Sequence, residues 1–224
     1  MPVITLSRQF GAGGAAIGRS LADRLGAEYL DREVLARVAA RSGIPEDEAE
    51  GYDERLPSLW QRLTAALADS APEAVMTPVP PQAIGGSAMG ERLFALTRTV
   101  IEEAAGGGNV VILGRGAGFI LAGRAKVLRV QLHAAREARV RYLLARVEEL
   151  PPHEQAAMDE AALAQLCKRV DAARAGYLRS HFDVDWNDVR HYDLALDTGR
   201  LGLAQAVDLI EAAARHLAEA ELDR

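Results

Sequence analysis

Residues 7–19 read Ser-Arg-Gln-Phe-Gly-Ala-Gly-Gly-Ala-Ala-Ile-Gly-Arg. A run so rich in glycine and alanine lets backbone N–H groups turn toward one point. A helix starting directly behind it adds its positive end. Such a loop is an anion cradle suited to a polyphosphate. Its candidate phosphate-binding residues are Arg8, Gly11, Ala12, Gly13, Gly14, Ala15 and Ala16. Alone, the cluster is equally compatible with a tight strand-to-helix turn, and its place after the first strand favours the phosphate. The common phosphate loop GxxxxGK[ST] is not intact. Counted from the helix that ends at Leu25-Gly26, Gly14 takes the lysine position and Ala15 or Ala16 the hydroxyl position. A second register, Gly13 to Ser20, reads GxxxxGRS with Arg19 for lysine, but leaves too short a helix before Gly26. The lost charge must come from elsewhere, and Arg8 and Arg19 are nearest in sequence. A side chain at Gly14 is expected to conflict with the glycine geometry.

Gly114-Arg115-Gly116 directly follows a buried strand. A charged residue between glycines at the carboxyl end of such a strand points into the crevice where ligands bind. The alternative is an arginine whose stem packs on the sheet edge. Asp31 ends another strand and Arg37 lies six residues on. These two read as readily as a helix cap and a solvated residue. Lys168, Arg169, Asp171, Arg174 and Arg179 crowd one helical stretch, as a cation cluster or a solvated face with internal ion pairs. Arg136, Arg139 and Arg141 open another helix, with a nucleotide role and a solvated face equally open. His133, Trp60 and Trp186 read as structural. No His/Asp/Glu cluster has metal-ligand spacing, so any Mg2+ is expected to arrive bridged by phosphates and water.

These residues need elements to place them. Val3 to Leu6 is a buried strand, and Ile17, Leu21 and Leu25 recur at helical spacing. Glu28 to Leu30 is a second strand. Helices are expected at 32–41, 56–68 and 91–105. Residues 70–89, rich in proline and glycine, read as a mobile loop. Strands at 110–113, 127–132 and 192–196 alternate with helices at 136–149, 154–180 and 203–217. Alternation of this kind implies an α/β fold with a parallel sheet covered on both faces. Ligands of such sheets sit at the carboxyl ends of the strands.

The chain has 224 residues, which suits a single domain over 1–224. Apolar residues make up 49%, enough to bury a core, and aromatics only 5%, so aliphatic side chains must fill it. The net charge of −6 argues against nucleic acid and anionic membranes as partners. One cysteine, Cys167, excludes an internal disulfide framework. The N-terminus lacks the pattern of a secretory signal, so the cytoplasm is the expected compartment. Of the 26 basic residues only Lys126 and Lys168 are lysines. Arginine grips phosphate through a planar fork, so the positions of the arginines carry the argument.

The sequence resembles the cytidylate kinase-like family of P-loop nucleoside monophosphate kinases. The resemblance begins with Ser-Arg-x-Phe-Gly-Ala-Gly-Gly-x-x-Ile-Gly-Arg at 7–19, Leu-Ala-Asp-Arg-Leu-Gly at 21–26 and Tyr-Leu-Asp-Arg-Glu at 29–33. It continues with Val-Val-Ile-Leu-Gly-Arg-Gly-Ala at 110–117, Lys-Arg-Val-Asp-x-x-Arg-x-x-Tyr at 168–177, Trp186 and Tyr192 to Thr198. It spans nearly the whole chain in order. Authentic cytidylate kinases carry a lysine in the loop, where this chain has Gly14, and an aspartate where it has Gly116.

The resemblance implies a three-layer P-loop kinase fold with a five-stranded parallel sheet. It implies a helical monophosphate-binding insertion within 32–105 and a basic lid within 151–182. The expected substrates are ATP, with Mg2+, and a nucleoside monophosphate, CMP or dCMP favoured. Asp31, Arg37 and Arg115 are expected at the monophosphate, and Arg174, Lys168 and Arg169 at the transferred phosphoryl group. Phosphoryl transfer needs cations placed around developing negative charge. Two further readings stay open: a non-catalytic nucleotide-binding or regulatory protein on the same fold, favoured by Gly14, Ala15 and Ala16, and a small-metabolite kinase.

Overall fold

The computed structural model describes residues 3–31, 88–147 and 159–219. The helices expected at 32–41 and 56–68, Arg37, Trp60 and most of the loop expected at 70–89 lie outside the described residues. Five parallel strands form one sheet in the order β2-β3-β1-β4-β5. They are β1 (Val3–Arg8), β2 (Glu28–Leu30), β3 (Val110–Leu113), β4 (Val127–His133) and β5 (Leu194–Asp197). β1 is central, with Leu6 opposite Leu113 on one side and Val130 on the other.

The strands read as unbroken apolar runs because both faces are covered. Ile4, Leu6, Val111, Leu113, Val130 and Leu132 face one layer, made by α1 (Gly14–Leu25) and α7 (Leu203–Glu219) through Ile17, Leu21, Val207 and Ile210. Val3, Val110 and Ile112 face the other, where Val100 and Ile101 of α2 (Ala88–Gly106) and Ile120 of α3 (Ala117–Ile120) pack. A third apolar cluster joins α4 (Arg136–Val147) to α5 (Glu160–Phe182) around Phe10. A short α6 (Thr198–Leu201) follows β5.

Element ends follow local chemistry. α1 stops at Gly26, whose left-handed φ of 57° returns its N–H to the Ala22 and Asp23 carbonyls. Within the helical stretch expected at 154–180, α5 starts at Glu160, where the Asp159 carboxylate accepts the Ala162 N–H at 2.8 Å, and 154–158 lie outside the described residues. β5 starts at Leu194, not Tyr192. Asp193 is occupied in bonding the backbone N–H and guanidinium of Arg129, both at 2.8 Å. Ala88 and Met89, expected in the loop, belong to α2. The described part of the expected lid, α5, is packed along α4 as a core element.

Candidate functional site

The glycine loop crosses from the end of β1 to the start of α1. Gly11 and Gly13 hold left-handed φ angles of 77° and 76°. A side chain at Gly13 would strike Leu203, so glycine is required there for space as well as conformation. Gly13 is the N-cap of α1 and has no side chain of its own to bond the first turn, so the positive end of the helix lies at the loop. Arg19 lies exposed on α1, its guanidinium 6.0 Å from the Tyr29 ring. The register with Gly14 at the lysine position is thus the one adopted. Gly14 is the first residue of α1 and lies outside the left-handed region. Its φ therefore does not by itself demand glycine, although the residue is buried.

Phe10 is fully buried among Val140, Leu143, Leu163 and Val170. Its peptide groups are held on both sides. The Asp171 carboxylate accepts the Phe10 N–H at 2.8 Å, and Arg139 donates to the Phe10 carbonyl at 3.1 Å. Arg139 and Asp171 pair with each other at 2.5 Å. Arg174 donates to the Arg8 carbonyl at 2.9 Å, with its guanidinium 5.9 Å from the Phe10 ring. Thr198 donates to the Ala12 carbonyl at 2.9 Å. Gln9 donates its N–H to the Leu132 carbonyl at 2.9 Å, tying the loop to β4. Burial pushes the Cys167 thiol, 3.8 Å from the Phe10 carbonyl, up to about 11.

A second wall lies at the end of β3. Gly114, Arg115 and Gly116 all have left-handed φ angles, of 76°, 57° and 68°. For Arg115 this is a strained conformation, kept by the packing on either side. A side chain at Gly114 would strike the Arg8 guanidinium, and one at Gly116 the Phe182 ring. An aspartate at position 116 would require the Phe182 ring to shift. Burial pushes the Tyr177 hydroxyl up to about 12, against the opposing pull of the Arg115 charge. Beside them Phe94 stacks on His181 at 4.1 Å, and burial lowers the His181 pKa.

The expected site residues separate into groups. Arg8, Gly11 to Ala16 and Arg174 come together at the loop, with the Arg8 side chain buried and its guanidinium against Gly114. Arg174, expected on a moving lid, is buried with its bond to β1 already made. Lys168 and Arg169 lie on the exposed face of α5. Asp31 is buried at the end of β2. Of the α4 arginines, Arg136 and Arg141 are exposed and Arg139 holds the loop. Trp186 is buried, as expected of a packing residue, and donates to the Ser7 hydroxyl at 2.7 Å. Phe10, Thr198 and the anchoring roles of Asp171 and Arg139 escaped the sequence reading. A large apolar residue inside a glycine loop was the available clue.

The backbone of this loop fits the phosphate part of a nucleotide. It does not fit direct ligation of a metal, because Ala15 and Ala16 replace the hydroxyl. No group of three or more metal-ligating side chains occurs among the described residues. No helix among them is long and apolar enough to cross a membrane.

A phosphate-type loop between the central strand and α1 of a five-stranded parallel sheet defines a P-loop kinase fold. The chain belongs to the cytidylate kinase-like family, whose sequence pattern matches residues 3–200. No curated protein matches it. A solved structure of an uncharacterized protein from Eubacterium ventriosum is similar, with 17% identity and a TM-score of 0.62, over 96% of this chain and 99% of that one. Shikimate kinase from Bacteroides thetaiotaomicron is similar at 15% identity and a TM-score of 0.51, over 96% and 98%. These two likenesses establish the fold.

Proposed function

We propose that this protein is an ATP-dependent phosphotransferase of the cytoplasm that phosphorylates a nucleoside monophosphate, CMP or dCMP favoured. The observation that carries the reading is the loop itself. It stands at the carboxyl end of the central strand, with two left-handed glycines and the positive end of α1 directly behind it. The terminal phosphoryl group of ATP passes to a phosphate oxygen of the acceptor, giving ADP and the nucleoside diphosphate. In this reading the backbone of residues 11–16 holds the donor phosphates. Arg115, after β3, and Asp31, after β2, serve the acceptor phosphate, as does Arg37, which lies outside the described residues. Lys168 and Arg169, exposed on α5, serve the transferring group, and Mg2+ is held by phosphates and water. The preference for cytidine rests on the family.

A second reading is a nucleotide-binding regulatory protein without turnover. It is favoured by a specific observation: Gly14, Ala15 and Ala16 supply neither cation nor hydroxyl, while Arg174 and Arg139 are committed to loop carbonyls. Losing one preorganised donor costs about 3 kcal/mol of transition-state stabilisation, roughly a hundredfold in rate. A third acceptor class, small hydroxylated metabolites, is compatible with the fold. A coupled assay of ADP release, run with each nucleoside monophosphate and a panel of such metabolites, tests all three. Turnover is expected with CMP or dCMP. Calorimetric binding of ATP with no turnover of any acceptor would establish the regulatory reading.

A further inference from the structure

Three carbonyl groups of the glycine loop, at every second residue, are each engaged by a side chain from a different helix. The Arg8 carbonyl accepts from Arg174 of α5 at 2.9 Å, the Phe10 carbonyl from Arg139 of α4 at 3.1 Å, and the Ala12 carbonyl from Thr198 of α6 at 2.9 Å. In a planar trans peptide the C=O and the following N–H point in opposite directions. A carbonyl drawn to one side therefore turns the next N–H to the other. The first of the three peptides illustrates this: its N–H, on Gln9, runs to the Leu132 carbonyl of β4. The same rule turns the N–H groups of Gly11 and Gly13 away from Arg139 and Thr198. Both glycines are left-handed, the conformation in which neighbouring N–H groups form an anion-binding concavity.

We infer that Arg139, Asp171 and Thr198 are positioning residues that hold the loop's carbonyls outward and its Gly11 and Gly13 N–H groups inward, and so set its affinity for a polyphosphate. This rests on the phosphate-binding reading of the loop. Asp171 acts twice, through Oδ1 on the Phe10 N–H and through Oδ2 on Arg139. With glycine at position 14, no lysine in the loop masks a misplaced peptide. Peptide dipoles supply the attraction, and each is only as good as its orientation. A released carbonyl loses one inward N–H and can turn its own negative oxygen toward the phosphate. The effect on the anion is therefore larger than the loss of one hydrogen bond to the fold.

Thr198 gives the cleanest test because it is 5% exposed and valine has its shape. The full-length protein and its Thr198→Val, Thr198→Ser and Asp171→Asn variants are titrated by calorimetry with inorganic tripolyphosphate and with ATP, and their thermal midpoints are recorded. Thr198→Val is expected to bind both ligands about tenfold more weakly, the equivalent of one well-placed hydrogen bond. Thr198→Ser keeps the hydroxyl and should bind as the wild type does. Asp171→Asn keeps an acceptor for the Phe10 N–H but not the charge opposite Arg139, and should weaken both ligands about threefold or more. Unchanged affinity in Thr198→Val or in Asp171→Asn overturns the inference, as does a lowered midpoint with unchanged affinity, which marks a purely structural role. If Thr198→Val does not fold, Asp171→Asn decides alone. A wild-type protein that binds neither ligand overturns the phosphate-binding reading, and this inference with it.

Discussion

Arg174 separates two kinds of arginine that look alike in a sequence. A lid arginine waits in solvent for a phosphate, and its removal lowers turnover but leaves the fold alone. Here Arg174 is 8% exposed, donates to the Arg8 carbonyl at 2.9 Å, and lies over the Phe10 ring. Arg174→Ala removes the donor that this carbonyl takes from α5, at a cost of about 1–3 kcal/mol. The lost contact between cation and ring adds about 0.5–1 kcal/mol. Relief of the guanidinium's own desolvation works in the opposite direction. The expected net destabilisation is about 2 kcal/mol, which for a chain of this length lowers the thermal midpoint by roughly 4–8 °C. Urea unfolding followed by fluorescence, with the slope m unchanged, measures it directly. Arg174→Lys should recover only part, since an ammonium replaces a planar fork. An Arg174→Ala variant within about 0.5 kcal/mol of wild type would refute this account and return the residue to the solvent side of the site.

Two other outcomes follow from the same structure. The Cys167 thiol, pushed up to about 11 by burial, should resist alkylation by iodoacetamide in the folded protein, with a rate still rising above pH 10; a midpoint at or below its ordinary value of 9.0 would contradict its burial. The folded state holds this proton more tightly than the unfolded chain, so the stability it contributes is complete below about pH 9 and lost as pH rises toward 11. Gly14→Lys should fold normally, because Gly14 is helical and outside the left-handed region. It should bind ATP about tenfold more tightly or better by adding a charge-assisted bond to phosphate, and calorimetry showing no gain would mean that the loop does not hold phosphate at that point.

The sheet was legible in the sequence because parallel strands buried on both faces leave unbroken apolar runs, as at Val110 to Leu113, and because Gly26 and Gly106 end their helices where their neighbours stop recurring. The position of the loop was legible for the same kind of reason: its glycines mark the turn between β1 and α1, where Gly11 and Gly13 are left-handed. The anchors were not, since each depends on contacts between residues far apart in the chain. Asp171 to Phe10 spans 161 positions and Thr198 to Ala12 spans 186. Spacing along α5 does carry a partial clue. Leu163, Cys167, Val170, Arg174 and Leu178 recur at helical steps and are all buried, while Lys168 and Arg169 fall on the opposite face. Arg174 sits within the apolar stripe, so its burial could be read from that period. Its partner, a main-chain carbonyl, could not.

The distribution of charge around the loop follows from what each cation is asked to do. A lysine inside a phosphate loop is a point charge that meets the anion directly. Position 14 lacks it, and the nearby arginines do not simply substitute. The Arg8 guanidinium is buried against Gly114. Arg139 bonds a carbonyl and a carboxylate at once through one nitrogen of its guanidinium, a group that stays charged when buried. Arg174 joins a carbonyl to an aromatic face, which suits a planar cation. These are tasks for arginine, and they act on the backbone. In the proposed reading, full positive charge thus sits behind the loop and orients peptide dipoles, and the polyphosphate is held through many partial charges. The charge that develops during transfer then falls to cations outside the loop, for which Lys168 and Arg169, exposed on α5, are the proposed candidates.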